Sequence, residues 1–343
     1  MIKIEKNLTI SKNKRPLIIA EISANHCGNK ALFLKLIRKA HNSGADIVKI
    51  QTYEPEDITL NSKNNNFKIK TGIWKDKYLW NLYKKTQTPF SWHHDAFVLA
   101  KKLKINLFSA PFSLRAVDLL EKYKVKFYKI ASLENNDFML IEKIAKTKKP
   151  IILSTGATNI NDIKKSLKLI NRYHNKVVIL HCVTEYPTNS KNANIMRIKT
   201  LQKIFKNNLI GISDHTDDID TSLASIPLGV VVIEKHFKLD KIRSMDSKFS
   251  ITPDKMKSLR SKSEIYFNAL GTSKINNDNE FLKHKRSLFA KVDINKNDIF
   301  SKKNIVSLRP KVGVCASDVN KIINKKAKKK ITKNSPIFLK DIC

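Results

Sequence analysis

The chain has 343 residues, 41% of them hydrophobic, enough to bury one large core and a small one. Basic residues outnumber acidic ones by 66 to 30, a formal charge of +36, and no run of about 18 apolar residues offers a membrane-spanning helix. The four cysteines, Cys27, Cys182, Cys315 and Cys343, form no CxxC pair and no disulfide-like spacing, so a reducing, cytoplasmic location is expected.

The chain opens with a short basic lead. The apolar stretch after it is interrupted by Glu21 and lacks a small-residue cleavage site, which indicates a strand and not a signal peptide. Eight short, β-branched runs then follow one another: LIIAEIS (17–23), DIVKIQ (46–51), INLFSA (105–110), FYKIAS (127–132), PIILST (150–155), VVILHC (177–182), LIGISD (209–214) and VVVIEKHF (230–237). The stretches 29–43, 91–103, 114–124, 138–148, 160–174, 195–207, 219–228 and 253–270 carry helical periodicity. Eight β-then-α units in series predict an α/β protein built on a (β/α)8 barrel. A doubly wound open sheet is the alternative, but such sheets have fewer strands and a glycine-rich first turn, and LIIAEISANHCG is not a GxGxxG loop.

One connection is long: about forty residues separate Gln51 from the helix near Ser91, and a loop of that length carries function or its own structure. Its Trp74, Tyr78, Trp80 and Tyr83 are expected to pack down over something. Beyond residue 270 the pattern changes. We expect a barrel domain over 1–270, a polar linker over 271–284 and a small β-rich domain over 285–343, with one helix-like stretch near 318–325.

The charge invites a nucleic-acid reading. The lysines, however, are dispersed over every predicted helix and loop, and the densest run, 325–330, has five lysines and no aromatic platform around it. Compositional bias explains this better, and specific nucleic-acid binding is not expected. The positive field would still help recruit anionic substrates.

In barrels of this kind catalytic groups sit at the C-terminal ends of the strands, and here almost every strand ends in polar residues. The ends carry Glu21; Lys49 and Gln51; Lys129, Ser132 and Glu134; Ser154 and Thr155; His181 and Cys182; Ser213, Asp214 and His215; Glu234 and His236. Residues two apart on a strand share a face, which pairs Lys49 with Gln51, Ser213 with His215 and Glu234 with His236. A lysine inside an apolar strand is costly unless an anion meets it. Lys49 and Lys129 therefore suggest an anionic ligand, with internal salt bridges or a Schiff-base lysine as alternatives. His215 and His236 end neighbouring strands and could share one metal ion with positions left open, or each be a satisfied core histidine. Cys182 is apolar-flanked and is expected to pack. His93 and His94 lie on a predicted helix as surface or packing residues, and His26 in the first loop could be either.

The stretches SANHCG, GADIVKIQTYEP, FSAPFS, FYKIASLENND, KKPIILSTGAT, HCVTEYPT, GISDHT and IEKHFKLD, in this order, closely resemble the sialic acid synthase family. KRSLFAKVDINKNDIFSKKNIVSLRP resembles that family's antifreeze-like (SAF, β-clip) domain. SANHCG and QTYEPEDITL with its aromatic insertion are most similar to the pseudaminic acid synthase branch, with legionaminic and N-acetylneuraminic acid synthases as close alternatives. The resemblance implies condensation of phosphoenolpyruvate with an open-chain acetamido sugar. It implies Lys49, Lys129, Ser132, Ser154 and Ser213 on phosphoenolpyruvate, and His215 and His236 on a divalent ion, manganese first, with magnesium and cobalt as alternatives. Glu21, Gln51, Tyr186 and Asp246 would face the sugar, and Glu134 would transfer protons. Arg309 would reach the sugar site of a partner subunit in a domain-swapped homodimer. Ala110 stands where the family usually has Ser or Thr, which removes one hydroxyl contact. A non-catalytic sugar- or anion-binding relative is the remaining alternative.

Overall fold

The computed structural model describes residues 1–5, 8–273 and 279–343. They fall into two compact units, Met1–Gly271 and Thr272–Cys343. The expected linker, 271–284, lies partly outside the described residues.

All eight expected strands form. They are β3 (Leu17–Glu21), β4 (Ile47–Thr52), β5 (Leu107–Pro111), β6 (Tyr128–Ile130), β7 (Ile151–Ser154), β8 (Val177–Cys182), β9 (Leu209–Asp214) and β10 (Val232–His236). Each runs parallel to the next, and β10 pairs with β3 to close the barrel. The near-continuous apolar runs follow from burial on both faces: helices cover the outside and side chains fill the inside. Around the barrel run α1 (Lys30–Asn42), α3 (Phe90–Leu103), α4 (Leu114–Lys122), α5 (Phe138–Lys146), α6 (Ile160–Ile170), α7 (Arg197–Ile204), α8 (Asp220–Ser225) and α9 (Pro253–Ala269). Their starts are set by side chains that accept otherwise orphaned backbone N–H groups: Asn29 from Leu32, Ser113 from Ala116, Asp137 from Leu140 and Thr252 from Lys255. The long connection holds a further helix, α2 (Leu79–Thr86).

The lead folds into a hairpin that the sequence reading does not anticipate. β1 (Ile2–Glu5) and β2 (Leu8–Ile10) pair antiparallel. Their Ile2, Leu8 and Ile10 join the cluster inside the barrel, with Ile19, Ile47, Phe108, Phe127, Val178 and Leu209. The contributing barrel residues lie toward the strand beginnings, so the hairpin closes that end. Gly211 matters here: a Cβ would lie 2.6 Å from the Val232 carbonyl oxygen and 2.6 Å from Leu180 Cδ2, so only glycine lets β9 approach β10 at this level. With the interior filled, polar side chains are accommodated at the C-terminal ends of the strands.

The second unit contains β11 (Ser287–Ala290) antiparallel to β12 (Ile305–Leu308). They share a separate core with Ile294, Phe300, Val314, Ile322, Ala327, Ile331 and Ile337. The helix-like stretch near 318–325 is a 3-10 helix over Ala316–Lys321, a short element with room for two turns only.

Phe108 and Phe127 stack at 4.1 Å between ring centroids inside the barrel, and both are buried. Phe108→Ala leaves a cavity there and should cost about 3–5 kcal/mol. A urea titration of the barrel transition checks this.

Candidate active site

Past the strand ends lies a cavity of about 890 Å³. The strands supply its charged wall: Lys49 and Gln51 from β4, Lys129 from β6, Ser154 from β7, Cys182 from β8, Ser213 from β9, and Glu234 and His236 from β10, with Ser132, Glu134, Thr184, Tyr186, His215 and Asp246 from the loops just beyond. The period of two works as expected, since Lys49/Gln51, Ser213/His215 and Glu234/His236 all reach this cavity. Ile58, Ile69, Ile73, Trp74, Leu79, Leu82 and Tyr83, from the long connection and α2, form the opposite wall. The aromatic segment does pack down, and it packs over the strand ends.

The lysines are not left for an external anion alone. Lys49 Nζ lies 2.8 Å from Glu21 Oε2 and 2.8 Å from Glu234 Oε1. Lys129 Nζ donates to Ser154 Oγ at 2.6 Å and to the Ile130 carbonyl at 3.2 Å, with Glu234 Oε1 4.0 Å away. The internal salt bridges weighed as an alternative are therefore present at Lys49. Burial pulls the Lys49 ammonium down to about 8, against the raising effect of Glu234. Burial raises Glu234, but Lys129 and Lys49 hold it at about 2. At neutral pH Lys49 and Glu234 are therefore both charged. An ammonium has three donors; Lys49 donates one to Glu234 Oε1 and is ion-paired with Glu21 Oε2.

Glu21 corrects one expectation. It is fully buried, binds Lys49 and accepts from the Ser23 N–H at 2.8 Å, and it is not on the cavity wall. It orients Lys49 from behind and does not face a ligand. Ala110 is likewise buried in β5 away from that wall.

His215 and His236 face each other with ring centroids 5.3 Å apart. His215 Nδ1 lies 2.8 Å from the Val183 carbonyl, which assigns the proton to Nδ1 and leaves Nε2 with a lone pair in the neutral ring; burial lowers this imidazole, but Cys182 beside it raises it above the usual value. His236 Nδ1 is buried with no partner, and burial with the neighbouring positive groups pushes its imidazole well below the usual range, toward the neutral form a metal requires. The pair fits a divalent cation. Among the described residues no group of three His, Cys, Asp or Glu forms a closed site, so the other positions would fall to water and substrate.

Glu134 is half-buried with its carboxyl turned inward, and desolvation raises that carboxyl to about 7, partly opposed by a backbone hydrogen bond and by Lys129. Its Oε2 has no partner. Asp246 accepts from the Ala24 N–H at 3.1 Å, and burial raises it too. Gln51 Nε2 donates to Ser23 Oγ at 3.1 Å. Ser132 Oγ accepts from the Gly156 N–H at 3.0 Å, and its hydroxyl also reaches the Cys182 sulfur. A Cβ on Gly156 would collide with Thr184 Oγ1 and come within 2.9 Å of Ser132 Oγ. Arg309 is exposed in the second unit.

Several other polar residues are structural. His26 is buried against Phe33 and Trp92, and burial lowers it to about 4. His93 is buried 2.7 Å from Thr52 Oγ1, while His94 is exposed. Asp214 pairs with Lys235 at 3.0 Å, both buried. Cys182 does more than pack: it lines the cavity 3.9 Å from His215 Nδ1. Sequence reasoning missed Phe249, whose ring meets Tyr186, His215 and His236 at 5.0, 6.2 and 4.8 Å, and Thr184, whose hydroxyl is buried without a partner. Neither lies on a strand, so no periodicity marks them.

Nine buried side-chain polar atoms lack a hydrogen bond among the described residues; those of Glu21 and Asp341 meet a lysine instead, and five belong to residues lining the cavity: Trp74, Glu134, Thr184, Glu234 and His236. Natural proteins leave few such groups unsatisfied, and their concentration here defines a barrel enzyme whose cavity completes its hydrogen bonds with substrate. The NeuB family model matches residues 36–275 and the SAF domain model residues 285–342; the chain belongs to the NeuB family. It is 40% identical to the pseudaminic acid synthase of Campylobacter jejuni, over 93% of this chain and 94% of that protein. It is 37% identical to the N,N'-diacetyllegionaminic acid synthase of the same species, over 92% and 97%. The crystal structure of N-acetylneuraminic acid synthetase from Leptospira borgpetersenii in complex with citrate matches with a TM-score of 0.72 and 27% identity, over 81% of this chain and 92% of that one.

The raised Glu134 carboxyl makes a signed prediction. Its folded pKa of about 7 exceeds the unfolded value of 4.5. Ionising it thus costs the folded state as pH rises through about 7, while below about 4.5 both states are protonated. Glu134→Gln should therefore raise the thermal midpoint at pH 8.5, by at most about 3 kcal/mol of stability, and leave it nearly unchanged at pH 4. Equal gains at both pH values would contradict the assignment.

Proposed function

We propose that the chain acts as a pseudaminic acid synthase, condensing phosphoenolpyruvate with an open-chain diacetamido-trideoxy-L-altrose and water, and releasing phosphate by carbon–oxygen cleavage. The observation that carries this reading is the crowding of unpartnered buried polar atoms into a cavity that also holds two ammonium groups. Identity to pseudaminic acid synthases over nearly the whole chain supports the choice of sugar.

In this reading the charged wall holds the phosphate and carboxylate through Lys49, Lys129 and the hydroxyls of Ser132, Ser154 and Ser213, the Ser213 proton turning from Glu234 to the ligand. Glu21 and Glu234 keep Lys49 in place, so its ammonium is already oriented when the ligand arrives. His215 and His236 hold a divalent cation, manganese first, which when bound polarises an aldehyde oxygen as a Lewis acid. Glu134, near half-protonation at neutral pH, gives or takes a proton at its unpartnered Oε2. Tyr186, Asp246 and Gln51 position the sugar. The chain works in the cytoplasm as a homodimer in which Arg309 of each second unit reaches the other subunit's sugar.

The direct test is phosphate release from phosphoenolpyruvate with manganese and one of three sugars: N-acetylmannosamine, the diacetamido-altrose, or the legionaminic precursor. Turnover confined to the altrose derivative is expected. Turnover confined to another sugar would reassign the substrate, and none with any of them would defeat the enzyme reading. His215→Ala and His236→Ala should each lower turnover by roughly 10²- to 10³-fold, and chelation should do the same to the native protein. Arg309→Ala should raise the KM for the sugar and spare that for phosphoenolpyruvate, and sedimentation should show a dimer.

A further inference from the structure

The two walls of the cavity differ in kind. The strand side is charged, while the side contributed by the long connection and α2 is mostly hydrocarbon and aromatic, with Thr71, Thr86 and the Tyr83 hydroxyl as its polar groups. A sugar bearing a hydroxyl on every carbon would lose water against that second wall without compensation. A sugar bearing amide and methyl groups would bury apolar surface there.

Trp74 adds a directional element. Its indole Nε1–H is buried and has no acceptor, although a buried indole N–H usually finds one. The ring is fixed: it lies 5.6 Å from the Tyr186 ring and edge-on to Phe249 at 6.4 Å. The loop that presents it is closed. Lys68 bridges to Tyr78, the Ile69 N–H donates to the Lys77 carbonyl at 2.9 Å, and the Asp76 N–H donates to the Ile69 carbonyl at 2.8 Å. Lys68 and Asp76 pair at 2.9 Å across its base. The tip turns through Gly72 and Asp76, both at positive φ. Trp74 is thus a donor held in place by the protein and left for a ligand to satisfy.

We infer that Trp74 is a specificity-determining residue, whose indole N–H donates to the carbonyl oxygen of one acetamido group on the sugar while Ile73 and Leu79 of the same wall receive methyl groups. An amide carbonyl is the acceptor that suits this position, because the adjoining methyl is the one acetamido fragment the apolar wall favours. A hydroxyl could accept from the indole, but it would leave its own proton facing hydrocarbon. The inference rests on reading the cavity as the site of an acetamido sugar, and it goes further by naming the group that discriminates.

Trp74→Phe keeps an aromatic ring and removes the N–H. It should raise the KM for the diacetamido sugar roughly tenfold, the effect of one lost buried hydrogen bond, with kcat and the KM for phosphoenolpyruvate nearly unchanged. Analogues in which one acetamido group or the other is replaced by hydroxyl complete the cycle: for one of them Trp74→Phe should carry no further penalty. Those analogues given to the native enzyme test the same contact without any variant, and one substitution should cost the same factor. A penalty in Trp74→Phe that is equal for every sugar, or no penalty at all, overturns the inference. Calorimetry of the reduced, acyclic diacetamido sugar, native against Trp74→Phe, reads the contact without turnover. If the native protein binds the reduced sugar but releases no phosphate with the parent aldehyde sugar, the functional reading fails while the inference is still decided by the difference between the two proteins.

Discussion

The arrangement on which the rest of the site depends is the Lys49 ammonium held between Glu21 and Glu234. The three residues come from three successive strands across the closing seam of the barrel, β10, β3 and β4. An unpaired ammonium at this depth would neutralise itself or destabilise the fold; two carboxylates at 2.8 Å prevent both. Removing either carboxylate would leave a buried charge uncompensated, which costs more than the pair contributes. The network therefore fixes where the charged wall stands, and Ser213, which donates to Glu234 at 3.1 Å, and Ser154, which receives from Lys129, are positioned by the same atoms.

The apolar wall depends on a different device. A barrel with short connections would expose this charged cluster to water, where its interactions would be screened. The long connection covers it with Trp74 and the isoleucines, and α2 adds Leu79, Leu82 and Tyr83. Covering lowers the local dielectric, which strengthens each charged contact made inside. It also accounts for Glu134: the same burial that sharpens the Lys49 network lifts this carboxyl into the range where it can exchange protons at neutral pH.

Much of this was legible in the sequence because period and punctuation are local. β-Branched runs fix the eight strands, helical periodicity marks the stretches between them, and a spacing of two brings Lys49, Gln51, Ser213, His215, Glu234 and His236 to one face. The hairpin of residues 2–10 was not legible. Its strands are short and carry Lys3 and Glu5, and what holds them is contact with barrel residues up to Val232, which no local pattern reports. Glu21 was placed on the correct strand, but its ion pair with Lys49 was not foreseen. Its pairing with Lys49 depends on the register of β3 against β4, where the two Cα positions are partners, and register is set by the whole barrel. Phe249 and Thr184 sit on loops, where neither a period nor a cap announces a side chain's direction.

Charge balance joins the remaining pieces. Counting Lys49 and Lys129 against Glu21 and Glu234, the buried cluster is close to neutral, and His236 is held neutral by burial. The lysines orient an anion but contribute no surplus charge for it. A phosphorylated enol brings a phosphate and a carboxylate together, and burying that charge against a neutral wall would be unfavourable. In the proposed reading the surplus comes from the cation between His215 and His236, so the cation site and the anion site are two halves of one electrostatic requirement. Protonation of Glu134, raised by burial to about 7, acts in the same direction by removing negative charge from the cavity. The chain's overall charge of +36 cannot substitute for this, because its field is screened over about 10 Å of salt solution; it can draw anions toward the protein, and the buried groups must then hold them.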